Sequence, residues 1–213
     1  MNIQQKLISD NSKHITSVFY DEQECLQSII SLHCPNGIDV DPMFFKGNFY
    51  RNIVRPKWIF DINPQVKECI KADAKNLPLS DSSVNCIMLD PPFLFEIRNR
   101  KNNNYGANTH GILKGFEELE SLYKGILKEA YRVLNNKGIC VFKCQDFTDS
   151  KTTMTHNFVW MWAIMQGFYP KDLAILVLPK NKISNNNLKQ RHFRKVHTYF
   201  YIFQKGGRHS SQR

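Results

Sequence analysis

The stretch Asp90-Pro91-Pro92-Phe93 brings together a carboxylate, a carbonyl on a rigid backbone and a flat aromatic face. Such a set suits an exocyclic amine on a nucleobase. That amine is a poor nucleophile because its lone pair is delocalised into the ring. A carboxylate and a backbone carbonyl that accept its two N–H bonds favour a pyramidal nitrogen and return density to it. Asp90 and the carbonyl of Pro91 suit this task. The two prolines fix φ and remove amide donors that would compete for the same acceptors. Phe93 offers a face on which an extruded base can stack. The same four residues also make a rigid turn that closes a buried strand, a reading that involves no chemistry.

Two more acids stand upstream, Asp61 in Asp61-Ile62-Asn63-Pro64 and Asp73 in Ala72-Asp73-Ala74-Lys75-Asn76-Leu77-Pro78. The elements that must position all three can be read from apolar patterning. Residues 38–40 form a short strand after the Asn36-Gly37 turn, 57–62 a better one, 68–72 a weak third and 85–89 a strongly apolar fourth. Residues 21–32 read as an amphipathic helix, with Asp21 and Glu24 at capping-box spacing. From Phe116 to Leu134 apolar residues recur every three or four positions, one helical stripe, closed by Asn135-Asn136-Lys137-Gly138 as cap and turn. Residues 139–143 form the next strand, with Cys140 and Cys144 on one side. Residues 156–166 predict an almost wholly apolar, deeply buried helix ending at Gly167. Two final strands follow, 173–178 and 197–203, joined without a helix.

Alternating strands and helices imply an α/β sheet, mostly parallel, with helices on both faces and an antiparallel last strand. Ligands of such sheets collect beyond the carboxyl ends of the strands. Asp61, Asp73 and Asp90 each end a predicted strand, so three carboxylates should line one rim.

Composition narrows the setting. The 213 residues hold 29 Lys plus Arg against 19 Asp plus Glu, a formal net charge of +10. Nine of the bases, and no acid, lie between Lys180 and Arg213. A basic segment on a near-neutral body points to a polyanion, nucleic acid first, against the plainer reading of a solvated tail. Residues 1–213 read as one domain, with 1–35 an N-terminal helical segment. No signal peptide is evident, and the longest apolar run, 158–165, falls far short of a bilayer span. A cytoplasmic protein without membrane attachment is expected. The six cysteines form no CxxC pair, so no metal site is expected and they read as buried thiols.

The acid-ending strands, Asp73-Ala-Lys-Asn-Leu-Pro and, seventeen residues on, Asp90-Pro-Pro-Phe resemble the amino-group DNA methyltransferases that use S-adenosylmethionine. The resemblance covers about residues 36–205. It lies nearest to small solitary phage-type enzymes, in which a basic stretch precedes a His-x-Tyr-Phe strand, here Arg191-His-Phe-Arg-Lys-Val-His-Thr-Tyr-Phe200. It implies a Rossmann-like class I methyltransferase sheet and S-adenosylmethionine as cofactor. Asp90, Pro91, Pro92 and Phe93 would be catalytic. Asp61 would take the ribose hydroxyls, and Asp73 with the backbone of Ala74 the adenine. The family's Gly-rich first loop is replaced by residues 39–50, with a single Gly47 and too few residues for a crossover helix. Asp39, Asp41, Lys46 and Gly47 are the candidates there, or the first strand is misplaced.

Two basic loops are expected to meet the nucleic acid. Residues 94–115 follow the catalytic turn and carry Arg98, Arg100 and Lys101. Residues 179–196 carry Arg191, His192, Arg194 and Lys195. His192 and His197 read as phosphate contacts or packed rings rather than catalysts. No separate recognition domain is visible, so sequence readout would be short, loop-borne or supplied by a homodimer partner. DNA is the expected substrate, with adenine ahead of cytosine. RNA base methylation and a non-catalytic nucleic-acid-binding role on the same fold are the alternatives.

Overall fold

The sheet is built around two central strands that are buried along almost their whole length. In the computed structural model, which describes residues 14–93, 113, 115–148, 151–178 and 191–206, these are β5 (Val84–Leu89) and β6 (Leu134–Cys144). On one side of β5 lie β2 (Val40–Asp41), β3 (Trp58–Asp61) and β4 (Ile70–Lys71), all parallel to it. Beyond β6 lie β10 (His197–Lys205), antiparallel to both neighbours, then β9 (Phe168–Val177) and the edge strand β1 (Val18–Phe19). The order is β4-β3-β2-β5-β6-β10-β9-β1. The parallel body and antiparallel last strand are as the sequence implied. The edge strand β1 and a small hairpin of β7 (Phe147–Thr148) and β8 (Thr152–Thr153) had no sequence signal.

Alternation along the strands sorts their side chains into two cores. Cys86, Met88, Ile139, Val141, Phe200 and Ile202 face one side, with Cys25, Leu26, Ile29 and Ile30 of helix α1 (Glu22–His33). Ile87, Leu89, Cys140, Phe142 and Cys144 face the other, under α2 (Phe116–Val133) and α3 (Thr155–Gln166). Helices therefore cover both faces. All six cysteines are buried and unpaired. Asp21 caps α1 by accepting the amide of Glu24 at 2.9 Å, an interaction typically worth about 1 kcal/mol. The predicted stripe of α2 is buried at Leu119, Leu122, Tyr123, Ile126, Leu127, Ala130 and Val133.

Three expectations need correction. Helix α2 is not closed by the Asn135–Gly138 stretch, since β6 already begins at Leu134 and its cap has extended backbone. The carbonyls of Arg132 and Val133 are instead taken by the amides of Ser82 (2.9 Å) and Ser83 (2.8 Å). The left-handed residue in that stretch is Lys137 (φ 64°), not the glycine. Strand β9 starts at Phe168, directly after Gly167, rather than at residue 173. Helix α3 is not deeply buried. It packs one face on α2 and β9, burying Val159, Trp162 and Ala163, while Trp160 (46%), Met161 (41%) and Met165 (74%) are exposed. An outer-layer helix has only one neighbour layer to bury against, whatever its composition. Trp162 packs among Phe116, Phe158 and Tyr123. Among the described residues no helix is long and apolar enough to cross a membrane.

Candidate active site

The rim at the carboxyl ends of the parallel strands carries the predicted acids. Asp41 and Asp61 are the last residues of β2 and β3, Asp90 directly follows β5, and Asp73 lies two residues beyond β4. Strand β2 sits between β3 and β5, but it begins at Val40 rather than at residue 38. The 42–57 connection holds only a 3-10 turn, Asn48–Tyr50, as its length required.

Asp90 is half-buried, and its Oδ2 accepts Lys143 Nζ at 3.1 Å. Lys143 also reaches Glu22 Oε1 at the start of α1, at 3.2 Å. Its ammonium lies 4.6 Å from the Phe49 ring centroid and 5.8 Å from that of Phe200. Burial pulls the Lys143 pKa down, but Asp90 and Glu22 outweigh it and the net direction is up. Pro91 is buried, and Tyr123 donates its hydroxyl to the Pro92 carbonyl at 3.2 Å. Burial, with Cys144 and Asp90 nearby, holds that phenol well above its ordinary pKa. A turn fixed by two prolines is thus tied to α2 behind it and to β6 beside it, with Asp90 at its head.

The other rim acids hold backbone amides. Asp61 is 3% exposed; Oδ2 accepts the amide of Phe45 and Oδ1 that of Asn63, at 2.9 and 2.8 Å. Asp41 accepts the Met43 amide at 2.9 Å and the Tyr50 hydroxyl at 2.7 Å. Burial pushes Asp41 up to about 7, against the lowering effect of those two donors, and Asp90 and Asp61 add to the rise. Asp73 accepts the Lys75 amide at 2.9 Å and leaves Oδ2 only loosely paired, 3.8 Å from Lys75 Nζ. Ala74 beside it is buried. The loop carrying both is clamped to α2. Glu129 accepts the Leu77 amide at 2.6 Å, and Arg132 donates to the carbonyls of Leu77 and Leu79.

Gly47 has left-handed backbone (φ 69°), and a Cβ there would collide with the Phe44 ring. Lys46 lies over Phe45, 5.5 Å from the centroid. Asp39 is placed differently. It precedes β2, and its Oδ2 accepts the amides of Asn85 (2.6 Å) and Cys86 (3.1 Å), bolting down the start of β5, the end opposite Asp90.

Past the end of β6 is a polar cluster that the sequence reading missed. Asp146, 2% exposed, accepts His156 Nδ1 at 2.8 Å and the His156 amide at 3.2 Å, with the Tyr199 hydroxyl at 3.5 Å. His197 Nε2 meets that hydroxyl at 2.9 Å, and the His156 and Tyr199 rings stack at 4.4 Å. Gln145 donates to the Lys195 carbonyl at 3.3 Å, which anchors the end of the basic segment beside this cluster. Arg191, His192 and Arg194 are exposed there and Lys195 is partly buried. Arg98, Arg100 and Lys101 lie outside the described residues. The available signal for Lys143 and Asp146 was a Lys, a Gln and an Asp interrupting the apolar run at the end of a central strand.

A family model described as DNA methylase matches residues 84–213, the part that begins with β5 and the Asp90 turn. No curated protein matches the sequence. Among solved structures, a SAM-dependent methyltransferase from Archaeoglobus fulgidus aligns with TM-score 0.50 at 14% identity, over 87% of this chain and 95% of that one. The PvuII DNA methyltransferase (cytosine-N4-specific) aligns with TM-score 0.47 at 15% identity, over 63% and 48%. A protein of Thermus thermophilus, provisionally described as a DNA modification methylase and complexed with S-adenosyl-L-methionine, gives 0.44 at 14%, over 67% and 56%. The chain spans little more than half the length of the first solved relatives that it matches. The sheet order and the Archaeoglobus likeness define a Rossmann-like class I methyltransferase fold.

Proposed function

The chain belongs to the DNA methylase family, and from that premise we propose that it transfers a methyl group from S-adenosylmethionine to an exocyclic amino group of a base in DNA, adenine ahead of cytosine. The observation that carries this reading is the Asp90 carboxylate, half-exposed at the head of a turn that Pro91, Pro92 and Tyr123 make rigid. Residues 1–213 act in it as one domain.

The rim fits the cofactor. Asp61 spends one lone pair of each oxygen on a backbone amide, which leaves acceptor capacity for the two ribose hydroxyls. Asp73, through its loosely paired Oδ2, and Ala74 receive the adenine. Asp41, Lys46 and Gly47 form the turn nearest the amino-acid end, while Asp39 supports the sheet from behind. The bound cofactor supplies an electrophilic methyl group on a cationic sulfur, and an acidic rim favours that charge.

The chain's own part is to bind, orient and accept hydrogen bonds. A base extruded from the nucleic acid stacks on Phe93, and its amine donates one N–H to Asp90 and one to the Pro91 carbonyl. Holding that nitrogen in line with the methyl group lowers the barrier through proximity rather than through a general base. Deprotonation is needed only after transfer, when the methylated amine has become acidic. Arg191, His192, Arg194 and Lys195, together with Arg98, Arg100 and Lys101, contact phosphates, which gives affinity with little sequence reading. A second copy of the chain is the remaining source of sequence readout.

The test is to incubate the chain with labelled S-adenosylmethionine and either duplex DNA or total RNA, digest, and identify the labelled nucleoside. N6-methyladenosine from the DNA arm is expected, in its deoxy form. Label only in the RNA arm moves the substrate to RNA. No labelled nucleoside from folded protein leaves a nucleic-acid-binding role and removes the enzyme.

A further inference from the structure

The geometry points to Lys143 as a positioning residue of the amine site: pinned between Asp90 and Glu22, its ammonium holds the Asp90 carboxylate by one oxygen and so orients the other toward the amine. This rests on the reading of Asp90 as the amine's partner.

Lys143 occupies a place where a lysine is costly. It lies in β6, between β5 and β10, opposite Phe200 in the register, on the face lined by Val141 and α1. Its side chain is only 13% exposed. A buried cation persists only when paired, and this one has two acids from two different elements, at 3.1 and 3.2 Å. Phe49 and Phe200 offer ring faces to the same ammonium. The side chain is aimed at Asp90 and held there.

The rim needs such a cation. Lys143 from β6 pairs directly with Asp90; Asp41 from β2, the Tyr50 hydroxyl upon it and Tyr123 from α2 feel the charge of Asp90, and Glu22 from α1 reaches it through Lys143. Burial above all drives Asp41 up to about 7 at this edge, and Asp90 and Asp61 add to the rise. The amine needs a lone pair aimed at it, and an ammonium bonded to Oδ2 fixes the rotation of the Asp90 carboxylate. Among the described residues nothing bonds to the second oxygen of Asp90, and that oxygen meets the amine.

The test compares full-length Lys143→Met and Lys143→Arg with the parent chain. The readouts are kcat for methyl transfer, cofactor KM, and the chemical shift of the Asp90 carboxyl carbon by NMR at one fixed pH. For Lys143→Met we expect kcat to fall about tenfold or more, with cofactor KM unchanged and the Asp90 carboxyl signal displaced. Lys143→Arg should recover most of kcat and return the signal. If Lys143→Met does not fold, pairing it with Glu22→Gln removes the orphaned acid and permits the same comparison. A fall in kcat that Lys143→Arg does not recover would reduce Lys143 to packing, and an Asp90 carboxyl signal unmoved by Lys143→Met overturns the proposal whether or not turnover is seen. Absence of methyl transfer by the parent chain sinks the enzyme reading instead and leaves the NMR result to decide on Lys143.

Discussion

The two halves of the sheet use the same residue at the same rim in opposite ways. On the β2-β3-β4 side the strands have two, four and two residues, and Asp41, Asp61 and Asp73 each hold a backbone amide of the turn that follows. On the side that runs from β5 into the eleven-residue β6, the acids hold side chains that can carry positive charge. Asp90 takes Lys143, and Asp146 takes the His156 ring along with its amide. Short strands cannot fix long loops by their ladder alone, so there the carboxylates serve as loop braces. Long strands already fix the backbone, so there the carboxylates are free to pair with other side chains.

Five substitutions can break or sharpen this contrast. The largest effect is expected from Asp90→Ala. It should lower kcat by roughly a hundredfold or more, the scale of losing a preorganised electrostatic group, while calorimetry shows S-adenosylmethionine binding largely intact. Cofactor affinity lost along with turnover would erase the division of labour between the halves. Next comes Asp61→Ala, which orphans two amides. A stability loss of roughly 1–3 kcal/mol per buried donor left unpaired, read by denaturant titration, should accompany weaker cofactor binding. Asp73→Ala, at a more exposed site, should weaken cofactor binding with a smaller stability loss. Unchanged cofactor affinity in both variants would remove the cofactor map.

A smaller, pH-dependent effect belongs to Asp41. Its carboxyl has a higher pKa folded, about 7, than an ordinary aspartate has. It therefore binds its proton more tightly in the folded chain, and its contribution to stability declines as pH rises from about 4 to about 7 and is level above that. Asp41→Asn should flatten that part of the stability profile, and a parent-minus-variant difference independent of pH would refute the assignment. The smallest effect is that of Arg194→Ala. It should weaken DNA binding about equally for all sequences and reduce the slope of log affinity against log salt by roughly one. A change confined to one sequence would give Arg194 a reading role.

Legibility followed locality. The Asp21 cap, the stripe of α2, the strands bearing Asp61 and Asp90 and the Pro-Pro turn are local patterns, and all were visible in the sequence. What escaped depends on distant partners. The end of α2 is settled by Ser82 and Ser83, some fifty residues upstream, so no cap residue marks it. The apolar residues of α3 gave no sign of which face would be left uncovered. Lys143 reads as a break in a strand until Glu22, 121 positions away, is beside it. Likewise Asp146 gains its meaning from His156 and Tyr199, which arrive on other elements.

The half-exposed helix α3 also sets how the protein can be observed by light. The chain has three tryptophans. Trp58 and Trp160 are 37% and 46% exposed and within reach of a dissolved quencher such as iodide, whereas Trp162 is 3% exposed. The emission that survives quenching therefore belongs to Trp162, whose ring meets Tyr123 edge-on at 6.2 Å. Tyr123 in turn grips the Pro92 carbonyl. The molecule carries its own optical gauge one aromatic contact from the turn that bears Asp90, readable without any label.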